Sequence, residues 1–210
     1  MKKFIVEFIG TFFFVFTVGA CVLGPSAGVL APLAIGSVLM VMVFAGGHIS
    51  GGHFNPAVTV AVALRGRMPG MEVPSYILAQ MAGAVFGSGA AYYLKGGPVP
   101  NPSAPVYALP QAVLAEFLFT FALAYVVLNV ATAKANAGNS FYGLAIGFIV
   151  MCGAVAVGPI SGGVFNPAIA TGLLYMGILP VFKYLAYIAA QLSAGAIAAY
   201  IFKTLNAEDK

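Results

Sequence analysis

The sequence predicts an all-α membrane protein with six transmembrane helices plus two re-entrant half-helices, arranged as an inverted repeat. Three observations predict it. Of 210 residues, 61% are hydrophobic and only 7% are charged, against about 25% charged in a soluble domain. The few charges could not cover a water-facing surface, so the solvent for most of the chain is lipid. The chain is also written twice: ISGGHFNPA at 49–57 returns as ISGGVFNPA at 160–168, eight identities in nine at an offset of 111. Finally, each half holds three apolar stretches long enough to cross. Three is odd, so the second copy enters from the opposite side of the membrane.

The spans follow in order. In the first half they run at about 4–23, 28–46 and 74–94, and in the second at about 110–132, 139–158 and 179–203, each near the roughly 20 residues a crossing requires. Lys2 and Lys3 followed by an apolar run have the layout of a signal peptide, and Val18 to Cys21 resembles a lipoprotein cleavage box. Glu7 inside the run opposes that reading, and the segment is read as the first membrane helix. Two further landmarks support the duplication: Gln80 and Gln191 at the same offset of 111, and Glu7 and Glu116 at 109. The whole chain, 1–210, reads as one channel domain of repeats 1–96 and 110–205 joined by loop 97–109.

Between the second and third spans of each half lies a glycine-rich turn, then Asn-Pro-Ala, then an apolar stretch too short to cross, 55–64 and 166–175. Asn is a favoured N-cap and Pro a favoured first helical residue, so Asn55, Pro56, Ala57 and Asn166, Pro167, Ala168 each begin a short helix. An ordinary capped surface helix would explain one copy. Two copies at symmetry-related places on opposite faces point to half-helices that meet at the midplane, where irregular backbone is tolerated if it lines a water-filled cavity. Their N-termini, each worth about half a positive charge, would oppose cations there. Each Asn spends its carbonyl oxygen on the cap and aims its amide nitrogen into the lumen, so Asn55 and Asn166 offer paired donors to one passing oxygen.

Charge fixes orientation and removes other classes. Lys2, Lys3, Arg65, Arg67, Lys134, Lys203 and Lys210 fall on one side, with Lys95 and Lys183 on the other. This predicts a multi-pass protein of the cell (plasma or inner) membrane with both termini cytoplasmic. The net charge of +4 comes from scattered residues and forms no basic run, so nucleic acid is not a partner. Cys21 and Cys152 sit in apolar stretches and read as free, buried, small hydrophobes; no disulfide, metal site or cofactor follows. No nucleophile, base and orienting group cluster, which argues against an enzyme. The small residues Ala82, Gly83, Gly87 and their counterparts Ser193, Ala194, Ala198 fit close helix crossings.

The duplicated Asn-Pro-Ala boxes, the stretch GHISGGHFNPAVT at 47–59 and the glutamates of the first and fourth spans resemble the aquaporin and glycerol-facilitator family, the major intrinsic proteins. The resemblance covers nearly the whole chain. It implies a homotetramer with one pore per subunit that excludes ions and protons. It also implies that Glu7 and Glu116 accept hydrogen bonds from the backbone of the re-entrant loops, the competing reading being a water-bridged buried acid. By the same resemblance His53 and Gly162 line the pore, with a packing histidine as the alternative for His53; His48 reads as structural.

The chain departs from the family at the outer constriction, where an Arg normally follows the second Asn by three residues with aromatic and His partners. The corresponding positions here are Ile35, Ala154, Gly163 and Ile169, without charge or ring. The expectation is a passive channel for water and small uncharged solutes with an apolar outer filter. A channel devoted to glycerol, urea, ammonia or a gas is the alternative within transport, and a junctional or scaffold membrane protein the alternative outside it. Gly163 also replaces the cysteine through which many relatives are blocked by mercury, so weak mercury inhibition is expected.

Overall fold

The computed structural model describes residues 1–24, 26–97 and 108–209. Most of the joining loop expected at 97–109, residues 98–107, lies outside the described residues, as does Lys210 from the charge reading. Eight α-helices are described: α1 Lys2–Val22, α2 Ala31–Ser50, α3 Pro56–Arg65, α4 Val73–Leu94, α5 Leu109–Val127, α6 Tyr142–Ser161, α7 Pro167–Tyr175 and α8 Val181–Leu205. Six are long and apolar enough to cross a membrane, while α3 and α7 are the half-helices. Each half has the order long, long, short, long, and the two halves form the inverted repeat that the sequence predicts.

The second and fifth spans run further than their apolar stretches suggest. α2 continues through His48 to Ser50, and α6 carries Pro159 within its last turn before ending at Ser161. Both stop where a glycine takes a left-handed conformation that a side chain would strain: Gly51 at φ 93° and Gly162 at φ 97°. Their N–H groups close the helices on Gly47 and Gly158, at 2.9 and 2.8 Å. Pro159 forfeits one backbone donor, an affordable loss so near a helix end.

Small residues fix the crossings. A Cβ on Gly83 of α4 would stand 2.6 Å from the Phe8 carbonyl of α1, and one on Gly87 would overlap the Phe12 carbonyl. The equivalent positions of α8, Ala194 and Ala198, are fully buried against α5. α2 meets α6 at Gly36 and Gly147, where a Cβ on Gly36 would stand 2.7 Å from the Gly147 oxygen. These two glycines are themselves related by the repeat offset, so the pseudo-twofold axis passes through their contact. Without side chains the backbones approach closely, which is how helices gain packing energy in lipid.

Candidate functional site

Each half-helix begins at its asparagine. Asn55 Oδ1 accepts from the Ala57 N–H at 2.9 Å, and Asn166 Oδ1 accepts from Ala168 at 2.8 Å, satisfying a donor that the helix start leaves unpaired. The amide nitrogens do not both simply face the lumen, as the sequence reading has it. Asn55 Nδ2 donates to the Phe165 carbonyl at 3.0 Å, and Asn166 Nδ2 donates to the Phe54 carbonyl at 2.9 Å. Each amide therefore spends one of its two protons tying the two loops together, and one remains.

That exchange requires an unusual backbone. Phe54 and Phe165 are the non-glycine residues with left-handed φ among those described, at 46° and 50°, a conformation that costs about 1–2 kcal/mol. Their surroundings hold them. The N–H of Phe54 donates to Glu7 Oε2 at 2.7 Å and its ring fills the space left by Gly10. The N–H of Phe165 donates to Glu116 Oε2 at 2.6 Å, and its ring lies 5.4 Å from that of Phe119.

Glu7 and Glu116 are fully buried, and both accept hydrogen bonds from the loops. Glu7 accepts from Ser50 Oγ at 2.7 Å, His53 N at 3.0 Å, Phe54 N and Gln80 Nε2 at 2.7 Å. Glu116 accepts from Ser161 Oγ at 2.7 Å, Val164 N at 2.9 Å, Phe165 N and Gln191 Nε2 at 2.8 Å. Every carboxylate oxygen takes two bonds, close to the full capacity of an ionised group. Sequence reasoning missed Tyr76 and Tyr187, whose hydroxyls donate to the Ser50 and Ser161 carbonyls, both at 2.7 Å. Their separation of 111 is the signal that would have found them.

Between 49–59 and 160–170 the two copies differ at three positions, and two of the changes exchange a polar for an apolar side chain. Where the second loop has Val164 and Ala170, the first has His53 and Thr59. The Thr59 hydroxyl donates to the Asn55 carbonyl at 3.1 Å and accepts from Gln80 Nε2 at 2.9 Å. The hydroxyl also lies 3.2 Å from His53 Nδ1, a contact whose donor depends on the imidazole tautomer.

His53 is buried and lines a cavity of about 700 Å³ on the face that carries both termini. Gly51, Arg67, Lys134 and Tyr142 are also in its wall. His48, read from sequence as structural, is exposed and lines the same cavity, because α2 outruns its apolar stretch and carries His48 to the mouth. At the opposite end Gly163, with φ 65°, lies against Ala154: a Cβ there would stand 3.2 Å from the Ala154 Cα. Ile169 is buried in the first turn of α7, Ile35 is half-buried on α2 beside the Gly36 crossing, and Gly162 is exposed at the α6 cap. Cys21 is buried as expected, whereas Cys152 is exposed, because it falls on an outward position of α6.

Comparison with known proteins gives a consistent picture. The sequence profile described as "Major intrinsic protein" matches residues 1–160 and 144–209. The chain is 38% identical to Aquaporin NIP1-1 of Zea mays over 180 residues, 82% of this chain and 64% of that protein, and so spans less than two thirds of that relative. It is 37% identical to Nodulin-26 of Glycine max over 186 residues, 82% of this chain and 66% of that one. Among solved structures, the aquaglyceroporin from Plasmodium falciparum superposes with a TM-score of 0.80 at 22% identity, covering 96% and 94% of the two chains.

Proposed function

The chain belongs to the major intrinsic protein family, and from that premise we propose that it is a passive pore for water and small uncharged solutes. The observation that carries the reading is the exchange of hydrogen bonds between Asn55 and Asn166 where two half-helix N-termini meet. Each asparagine keeps one amide proton for a permeant oxygen, and the positive helix ends repel cations. A water held between two donors accepts from both and cannot relay a proton through itself. On one side of this centre His53 adds a polar ring to the wall of the vestibule.

The other side is apolar. Ile35, Ala154, Gly163 and Ile169 form the outer filter in this proposal, without a fixed charge, and the contact of Gly163 with Ala154 supports a neck in which two of the four positions carry at most a methyl group. Such a neck admits glycerol-sized or less polar solutes, while water crossing it forgoes hydrogen bonds. This favours small neutral solutes such as glycerol, urea or ammonia beside water. Residues 1–210 act as one channel domain of two repeats, placed in the cell membrane with both termini cytoplasmic and assembled as a homotetramer.

Stopped-flow light scattering of proteoliposomes tests the proposal, with sucrose, glycerol and urea gradients applied to the parent and to Ile169→Arg. The parent should conduct water and at least one of the two solutes above empty vesicles. The Arg adds bulk and five donors, and should lower solute flux relative to water. An unchanged ratio in a folded, inserted variant would place the neck elsewhere.

A further inference from the structure

Asp209 lies beyond the last helix, yet it gathers three donors from distant parts of the chain. The Lys134 backbone N–H donates to its Oδ2 at 2.8 Å. Arg67 Nη2 donates to its Oδ1 at 2.9 Å, and Arg65 Nη2 forms an ion pair with the same oxygen at 2.8 Å. Arg65 is the last residue of half-helix α3, and its side chain is only 2% exposed. Its guanidinium also stacks over Phe202 of α8, 4.5 Å from the ring centroid. Lys134 opens the short turn between α5 and α6, which lines the vestibule.

From this convergence we propose that segment 206–209 is a strap that fastens the α5–α6 connection to the end of half-helix α3 and so sets the mouth of the vestibule. The connection is otherwise organised locally. Asn136 Nδ2 donates to the Asn129 carbonyl at 3.0 Å, and Asn139 Nδ2 donates to the Val130 carbonyl at 2.7 Å. These bonds shape the turn without attaching it to α3. Leu128 and Ala133 are buried in the apolar cluster that includes Val62 of α3, and the polar attachment runs through Asp209, whose charge also neutralises a deeply buried arginine. Asn206 secures the base of the strap by donating to the Phe202 carbonyl at 3.0 Å. Residues 133–134 and 136–139 line the cavity, so they stand between the strap and the path toward His53. Cutting the strap frees the connection at 133–139 to enter the vestibule that it lines.

Hydrogen exchange and flux on the full chain in proteoliposomes test the strap together. In Asp209→Asn the Lys134 amide should exchange faster by about tenfold or more, the factor that one charge-assisted hydrogen bond supplies. Water permeability should fall, and deletion of 207–210 should do the same. Glu208→Gln, on the exposed neighbour, should change neither. Unchanged exchange at Lys134 in both tail variants overturns the strap. Faster exchange with unchanged permeability overturns its control of the mouth. The permeability arm rests on the pore reading: a parent without flux would refute that reading, and the exchange result would still decide the strap.

Discussion

The side-chain amide of Asn55 donates to the carbonyl of Phe165 at 3.0 Å, a residue 110 positions along the chain. Asn166 returns the bond to Phe54 at 2.9 Å. Each half-helix therefore starts on a cap of its own and is held by the loop of the other half.

Replacing Asn166 by Ala removes both. The lost cap costs about 0.5–2 kcal/mol, and the Phe54 carbonyl, buried and left without that donor, adds about 1–3 kcal/mol. Thermal unfolding in detergent should show a clear loss of stability, and the surviving folded protein should leak ions or protons in a vesicle dye assay. A folded variant with parental stability and parental ion exclusion would remove Asn166 from the centre of the pore.

Two glycine substitutions should diverge. Gly87→Ala drives a methyl into the Phe12 carbonyl and should destabilise the α1–α4 crossing by about 1–3 kcal/mol. Gly158→Ala meets nothing within 4 Å on α6, and in a helix interior should be neutral or stabilising by up to about 1 kcal/mol. Paired melting curves check the contrast.

Treatment of the folded protein in detergent with the membrane-permeant N-ethylmaleimide should modify Cys152 faster than Cys21, because one thiol lies on the outer surface of α6 and the other is packed inside the protein. Peptide mass spectrometry reads the site directly. Modification of Cys21 at a comparable rate would mean that α1 is far looser in its seat than its packing indicates.

The tail has a defined acid limit. The Lys134 N–H, followed by the Arg65 and Arg67 guanidiniums, holds the Asp209 carboxyl below its ordinary value against an opposing desolvation. A depressed value means the strap's contribution is complete above the unfolded aspartate value, about 3.9, and is lost as pH falls through the lower folded value. Protection of the Lys134 amide, corrected for intrinsic exchange, should stay constant from pH 8 to pH 5 and fall only below about 4.

Much of this was legible because the chain repeats itself. Glu7 and Glu116 declared themselves as charges inside apolar runs, 109 residues apart and so within two of the repeat offset, and the Asn-Pro pair announced a capped start. What escaped was whatever depends on a third dimension. Helix α2 overruns its apolar stretch because Gly51, not hydrophobicity, decides where it ends. The amide of Asn55 finds a carbonyl in the other half, and no local pattern specifies that partner. Nothing in the sequence singles out Asp209, since its three donors lie 75 and more residues upstream.

The half-helices also bear on how the protein is made. α3 packs chiefly against α8, with Gly195 close enough that a Cβ would stand 2.5 Å from the Ala57 carbonyl, and α7 packs chiefly against α4. During synthesis the first three long helices emerge before the second loop and α8, so α3 waits with the Asn55 amide and the Phe54 carbonyl unmatched. The first half is consequently complete only once the second loop and α8 have been made. Two separately translated halves should accordingly complement each other when co-expressed, and neither should survive quality control alone.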